Sequence, residues 1–267
     1  MSNIALFDMD GTITPARKKI DKKMIKALEA LSDYGDIGIV SGSDFRLISE
    51  QIVSQIKSRK LLSRITLFPC NGTQVYDYNY KQREYTKDYS ASIFSEIGKD
   101  NYFKLYDFLL KQQRVIIEDN PDIIISGNFI EDRGSVINFC IPGRMSADDQ
   151  RANFEYIDKM RRVREQVFIR LSTFFSMSEL NLSASIGGKT SIDIYPTGWS
   201  KVYVLRHLPD YETITFVGDS CHAGGNDRDL FLAESVVENF LGIETSSTDE
   251  TLDIIRCKLI PIFTQLS

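Results

Sequence analysis

The stretch that most constrains this chain is residues 4–12, Ile-Ala-Leu-Phe-Asp-Met-Asp-Gly-Thr: a short apolar run that ends abruptly in two carboxylates and a glycine. Ile4–Phe7 reads as a short buried strand. Successive side chains of an extended segment point to opposite faces, so Asp8 and Asp10, one residue apart, leave on the same face. Two carboxylates held that close repel each other. A bound cation resolves the conflict, and hard dications such as magnesium take carboxylate oxygens together with substrate phosphate. Gly11 lets the backbone turn sharply, and Thr12 and Thr14 offer hydroxyl and amide donors to an anion. The chain is therefore expected to place a metal-assisted phosphoryl site at the end of a buried strand.

The first ninety residues alternate strand and helix. After Ile4–Phe7, apolar residues at Met24, Ile25, Leu28 and Leu31 give Asp21–Leu31 helical spacing. Ile37–Val40 reads as a second strand, followed by a helix capped by Ser43 or Asp44 and running to about Ile56. Ile65–Phe68 reads as a third strand, Asn71-Gly72 as a turn, and Val75–Tyr85 as a hairpin turning at Tyr78-Asn79. This rhythm predicts an α/β fold with a parallel, Rossmann-like sheet. Over residues 89–196 the character changes to amphipathic helices (Tyr102–Leu110, and one long charged helix Ala147–Phe168) mixed with short strands. Those strands are Val136–Ile141, Leu182–Ser185 and Thr190–Tyr195, the last two around Gly187-Gly188. An inserted α+β domain is expected there, inside a core domain made of 1–88 and 197–267. The α/β pattern resumes with a helix over Trp199–His207 and a strand Thr213–Val217.

Composition narrows the function classes. A net charge of −5 over 267 residues gives no global basic field, so no nucleic-acid partner is expected. No apolar run approaches the roughly 18–20 residues that span a bilayer. No basic segment leading into an apolar stretch and a cleavage site is visible near Met1, so no membrane partner and a cytoplasmic location are expected. The four cysteines are far apart and show no metal-binding spacing. Two histidines, His207 and His222, leave little room for histidine-based metal sites or serine triads.

Four patches fit one chemistry. Asp8 can attack phosphorus and carry the phosphoryl group, while Asp10 transfers protons to and from the reacting oxygens. Ser41-Gly42-Ser43-Asp44 ends a strand and opens a helix, where hydroxyls and amides bind phosphate. Lys201, in Gly-Trp-Ser-Lys, supplies positive charge for a phosphoryl-transfer transition state. Asp219, after Val217-Gly218, adds a carboxylate for the cation, and Asn226 or Asp227 beyond Gly224-Gly225 can orient ligands. All four lie at predicted strand C-termini or just beyond, where open α/β sheets bind ligands.

In this order the patches resemble the four motifs of the haloacid dehalogenase superfamily, and the insertion before Lys201 resembles its second type of cap (C2). The segments Phe7–Arg17, Gly42–Asp44, Pro142–Arg144, Gly187-Gly188 with Ser191–Asp193, Pro196–Lys201 and Gly224–Asp227 resemble the eukaryotic-type phosphomannomutase family. That resemblance implies a mannose 6-phosphate/mannose 1-phosphate mutase serving GDP-mannose synthesis. It further implies a hexose phosphate substrate, a hexose 1,6-bisphosphate activator and a homodimer formed through the cap. It implies catalytic Asp8, Asp10, Ser41, Ser43 and Lys201, and magnesium as cofactor with Asp8, Asp10, Asp219 and Asp227 as its ligands. The implied sugar-phosphate ligands are Arg17 in the core and Arg133, Arg144, Arg151, Ser191 and Asp193 in the cap. The chain departs from the family pattern at Ser41, where glycine is usual, in Ser220-Cys221-His222-Ala223, in Ile137–Arg144 and at Ala233. A sugar-phosphate phosphatase with the same nucleophile is the alternative reading, and a hydroxyl at position 41 resembles the superfamily's phosphatases. A non-catalytic sugar-phosphate-binding protein is the third, though a pure binder has no need of paired acids at one spot.

Overall fold

The computed structural model describes residues 3–208 and 210–266. The chain forms two compact units, one in two segments that ends at Ser90 and resumes at Trp199, the other Ala91–Gly198. The first unit is built on strands β1 (Asn3–Asp8), β2 (Asp36–Val40), β3 (Ile65–Phe68), β4 (Gln74–Asn79) and β5 (Glu84–Ser90). The second unit holds β6 (Ile130–Asp132), β7 (Ile137–Cys140), β8 (Leu182–Gly187) and β9 (Ser191–Pro196). Strands β10 (Thr213–Gly218) and β11 (Phe240–Glu244) return to the first unit.

The first sheet runs β11-β10-β1-β2-β3-β4-β5. Its first five strands are parallel, and β4 and β5 continue it antiparallel. All six residues of β1 are buried, which explains why Ile4–Phe7 within it is continuously apolar. Phe7 sits opposite Val217, and Asp8 opposite Val40. The C-terminal ends of β10, β1 and β2 therefore lie side by side, with β1 at the point where the strand order reverses.

The local elements follow the sequence with instructive exceptions. Asp44, not Ser43, caps the second helix, accepting from the Leu47 amide at 2.9 Å; the helix ends at Gln51 and a 3-10 turn Val53–Gln55 follows. The hairpin turns over residues 80–83 rather than at Tyr78-Asn79, because the Asn79 side chain accepts from the Lys81 and Gln82 amides at 3.0 and 3.1 Å. Trp199–His207 is not an α-helix but a 3-10 stretch, Lys201–His207. The expected 147–168 helix is two helices, Asp148–Arg161 and Val163–Met177, broken at Arg162 (φ 53°, ψ 44°). Asp158 makes the break: its carboxylate accepts the Arg164 amide at 2.8 Å and Arg164 Nε at 2.7 Å, so it starts the next helix from within the last turn of the previous one.

The second unit is a four-stranded antiparallel sheet, β6-β7-β9-β8, with helices Lys99–Asp119, Asp148–Arg161 and Val163–Met177 supplying its core. Period-2 alternation divides the sheet. Ile137, Phe139, Ile192 and Ile194 are fully buried in that core. The opposite face carries Glu131, Asn138, Asp193 and Ser185, which the strand register aligns in one row across all four strands.

Candidate active site

Three neighbouring strands each deliver one group to the same edge. Asp8 is the last residue of β1, Asp219 follows β10 directly, and Ser41 follows β2. Lys201 enters from the 3-10 stretch and is wholly buried, with its ammonium against Asp8 Oδ1 and 2.5 Å from Asp227 Oδ1. Asp227 is wholly buried as well, and its second oxygen accepts the Ser220 amide at 3.0 Å. One carboxylate thus fixes both the lysine and the loop after β10. Glycine is required at two of these approaches: a Cβ on Gly11 (φ +98°) would overlap the Asp219 carboxylate, and one on Gly225 would overlap the Ser220 carbonyl.

Oxygens of Asp8, Asp219 and Asp227 lie within 4.8 Å of one another. Three acids around one ammonium leave excess negative charge. Burial, with Asp227 and Asp219 adding to it against the opposing pull of Lys201, pushes the Asp8 pKa up to about 7. Asp219 is raised as well, by burial and then by Asp227. Lys201 is held above its ordinary value: burial opposes its charge, but Asp227 and Asp8 outweigh that. This donor set suits a hard dication, which would relieve the charge excess with carboxylate oxygens alone. The residues fit magnesium.

Asp10 is half-buried and its Oδ1 accepts the Arg17 amide at 2.6 Å; burial raises its pKa against the opposing influence of Arg17 and Lys201. Arg17 is exposed and takes a left-handed backbone (φ 58°), which closes the loop back toward Asp10. Ser41 is buried, its Oγ accepting the Ser43 amide at 3.1 Å; the Ser43 carbonyl accepts from Cys70. Thr12 is fully buried with its hydroxyl unpartnered among the described residues.

In the second unit, Arg133 follows β6, and Arg144 follows the tight turn at Gly143, where a Cβ would run into the Ser126 carbonyl. Arg151 is buried on the Asp148–Arg161 helix and donates to Thr190 Oγ1 at 2.7 Å. Ser191 sits opposite Cys140 on the polar sheet face. Asp193 accepts Asn138 Nδ2 at 2.6 Å and lies over Gly187, which has no Cβ to block it. Glu131, Asn138 and Thr190 are the polar neighbours of these residues that sequence reasoning missed. The alternation of Asn138 and Cys140 with Ile137 and Phe139 was the available signal.

A carboxylate at the end of a central parallel strand, a buried lysine against it and a second α+β unit inserted between strands are the arrangement that the sequence motifs lead one to expect. The profile of the eukaryotic phosphomannomutase family matches residues 24–259. A phosphomannomutase of Dendrobium officinale is 35% identical over 256 residues, covering 96% of this chain and 93% of that one. One of Arabidopsis thaliana is 32% identical over 263 residues, covering 96% of each. The chain belongs to the eukaryotic phosphomannomutase family. Its fold is also that of more distant solved structures. An IMP-nucleotidase of Plasmodium falciparum superposes with a TM-score of 0.64 at 14% identity, covering 98% of this chain and 67% of that one. A trehalose-6-phosphate phosphatase related protein gives 0.54 at 15% identity, covering 98% and 99%. No helix among the described residues is long and apolar enough to cross a membrane.

Proposed function

We propose that this chain interconverts mannose 6-phosphate and mannose 1-phosphate through an aspartyl-phosphate on Asp8 and a hexose bisphosphate, and so supplies GDP-mannose synthesis in the cytoplasm. The observation that carries the reading is Asp8 itself, buried at the end of β1 against Lys201 in a chain of this family. Magnesium, held by Asp8, Asp219 and the Asp10 main chain, would polarise the phosphoryl oxygens and favour ionised Asp8. Asp227, engaged by Lys201 and by Ser220, would complete the acidic set around the metal while holding the lysine and the loop in place.

Asp8 attacks the phosphoryl group of the bisphosphate activator. Lys201 neutralises charge on the transferring oxygens, and the Ser41 and Ser43 groups steady them. Asp10, its pKa raised by burial, gives a proton to the departing sugar oxygen and later takes one from the incoming hydroxyl. Arg17, Arg133, Arg144 and Arg151 bind sugar phosphate, using guanidinium forks that match phosphate oxygens. Ser191 and Asp193 hold the sugar. The working form is a homodimer joined through the second unit.

The test follows mannose 1-phosphate with magnesium and a trace of hexose 1,6-bisphosphate by phosphorus NMR. Conversion to the 6-phosphate is expected, and Asp8→Asn abolishes it while the chain stays folded. Full activity in that variant sinks the mechanism. Ser41 favours a second reading, in which water takes the phosphoryl group from Asp8; inorganic phosphate would then appear instead.

A further inference from the structure

The second unit contains an ion triplet whose carboxylate the mechanism above does not use. Glu131, in the middle of the three-residue strand β6, puts one oxygen, Oε2, on two arginines. Arg133 donates to it from Nη2 at 2.9 Å and from Nε at 3.1 Å, and Arg144 Nε lies 3.1 Å away. The two arginines reach that oxygen from different directions, one from just beyond β6 and the other from the turn at Gly143. Arg133 is 9% exposed at its side chain, and Glu131 and Arg144 are each 24% exposed. At that burial the ion pairs are screened far less than surface ones.

Two guanidiniums converging without a counter-ion repel and spread apart. A phosphate site needs them converged before the ligand arrives, because ordering them on binding weakens affinity. One carboxylate shared between them removes the repulsion and fixes both side chains, while the triplet keeps a net positive charge for a dianionic phosphate. The strand register fixes Glu131 in turn: it pairs with Asn138, which donates to Asp193, a sugar ligand in the proposed reading. Phosphate-binding and sugar-binding groups are thereby joined in one row across three strands.

We infer that Glu131 is a positioning residue for substrate binding, the shared counter-ion that preorganises Arg133 and Arg144 as a single phosphate-binding pair. The inference rests on the proposed reading of those arginines as substrate ligands. It is tested by steady-state turnover of mannose 1-phosphate by the full chain with magnesium and activator. Glu131→Gln keeps the shape and removes the charge; the expected result is a KM raised at least tenfold with kcat changed less than threefold. Arg144→Gln raises KM likewise. Glu131→Gln raises KM by a smaller factor in the Arg144→Gln background than in the wild type, since one of the two arginines it positions is already gone. A merely structural role would make the two effects multiply. Glu131→Asp keeps the charge on a shorter stem, and a KM between wild type and Glu131→Gln is expected; it stands in if Glu131→Gln fails to fold. An unchanged or lowered KM in folded Glu131→Gln, or multiplying effects in the pair, overturns the role of Glu131 alone. An unchanged KM in Arg144→Gln, or no turnover by the unsubstituted chain, overturns the reading on which it rests.

Discussion

Replacing Lys201 by Met probes the charge balance on which the site depends. The ammonium is fully buried and serves two carboxylates, Asp8 and Asp227, whose side chains are 7% and 0% exposed. Removing one partner of a buried ion pair costs about 3–5 kcal/mol, because an uncompensated charge is left in the interior. With two carboxylates orphaned at once, the upper end is expected, about 5 kcal/mol at pH 8.5. The sign of the pH dependence follows from Asp8. Its folded pKa is raised from 3.8 to about 7, so the folded chain binds this proton more tightly than the unfolded one. Stability from this group is fully present below pH 3.8 and is lost as pH rises through about 7. Lys201 opposes that rise, so the variant's Asp8 is raised further and the extra loss accumulates above pH 7. At pH 5.5 Asp8 is protonated in both proteins and its part of the difference is gone, so the loss shrinks toward about 3 kcal/mol, that of the broken pair with Asp227. Trp199 is the only tryptophan, is buried two residues before Lys201 and packs on Tyr203 with ring centres 5.5 Å apart. Urea melts followed by its fluorescence therefore report on the unit that holds the cluster. A loss below about 1 kcal/mol at pH 8.5, or one as large at pH 5.5, would refute the reasoning.

Magnesium affinity measured by calorimetry should fall about tenfold per pH unit below 7, because binding must displace the Asp8 proton; a flat profile from pH 6 to 8 would contradict this. Thr12→Val removes a buried hydroxyl with no partner among the described residues, so urea melts should show a gain of about 1 kcal/mol; a loss would mean that the hydroxyl is satisfied in the folded chain. Gly187→Ala sets a methyl against the Asp193 carboxylate, so KM for hexose phosphate should rise several-fold while the Trp199-detected melt moves by less than about 0.5 kcal/mol; an unchanged KM removes Asp193 from the sugar site.

The core site was legible because its code is local. An apolar run that stops at Asp8 states both the strand and its end, and Gly11 states the turn that lets Asp219 approach. The parallel placement of β10, β1 and β2 then brings Asp219, Asp8 and Ser41 together without further information from the side chains. Helix continuity was less legible. Residues 147–168 carry a helical pattern throughout, and the break at Arg162 depends on Asp158 choosing the Arg164 amide, a local competition that periodicity does not register. Strand β11 was missed for a related reason: Phe240–Glu244 contains Gly242, which weakens the strand pattern, yet a Cβ there would meet the Phe231 carbonyl, so the close approach requires it.

The second unit marks the limit of reading residue types alone. Arg133, Arg144, Ser191 and Asp193 were identified by resemblance, but the groups that hold them were not. Glu131 and Asn138 become their partners only through cross-strand register, which joins positions as far apart as Asn138 and Asp193. A one-residue slip of β7 against β9 would exchange the polar face for the core face and set Phe139 opposite Asp193. Burial prevents that slip, since Ile137, Phe139, Ile192 and Ile194 are all fully withdrawn from solvent on the helix side. The apolar residues of these strands thus specify the register, and the register places the carboxylate of Glu131 and the amide of Asn138 beside the candidate ligands. Specificity in the polar row is set by packing on the opposite face of the same sheet, so a volume change at Phe139 or Ile192 should disturb substrate binding before it unfolds the unit.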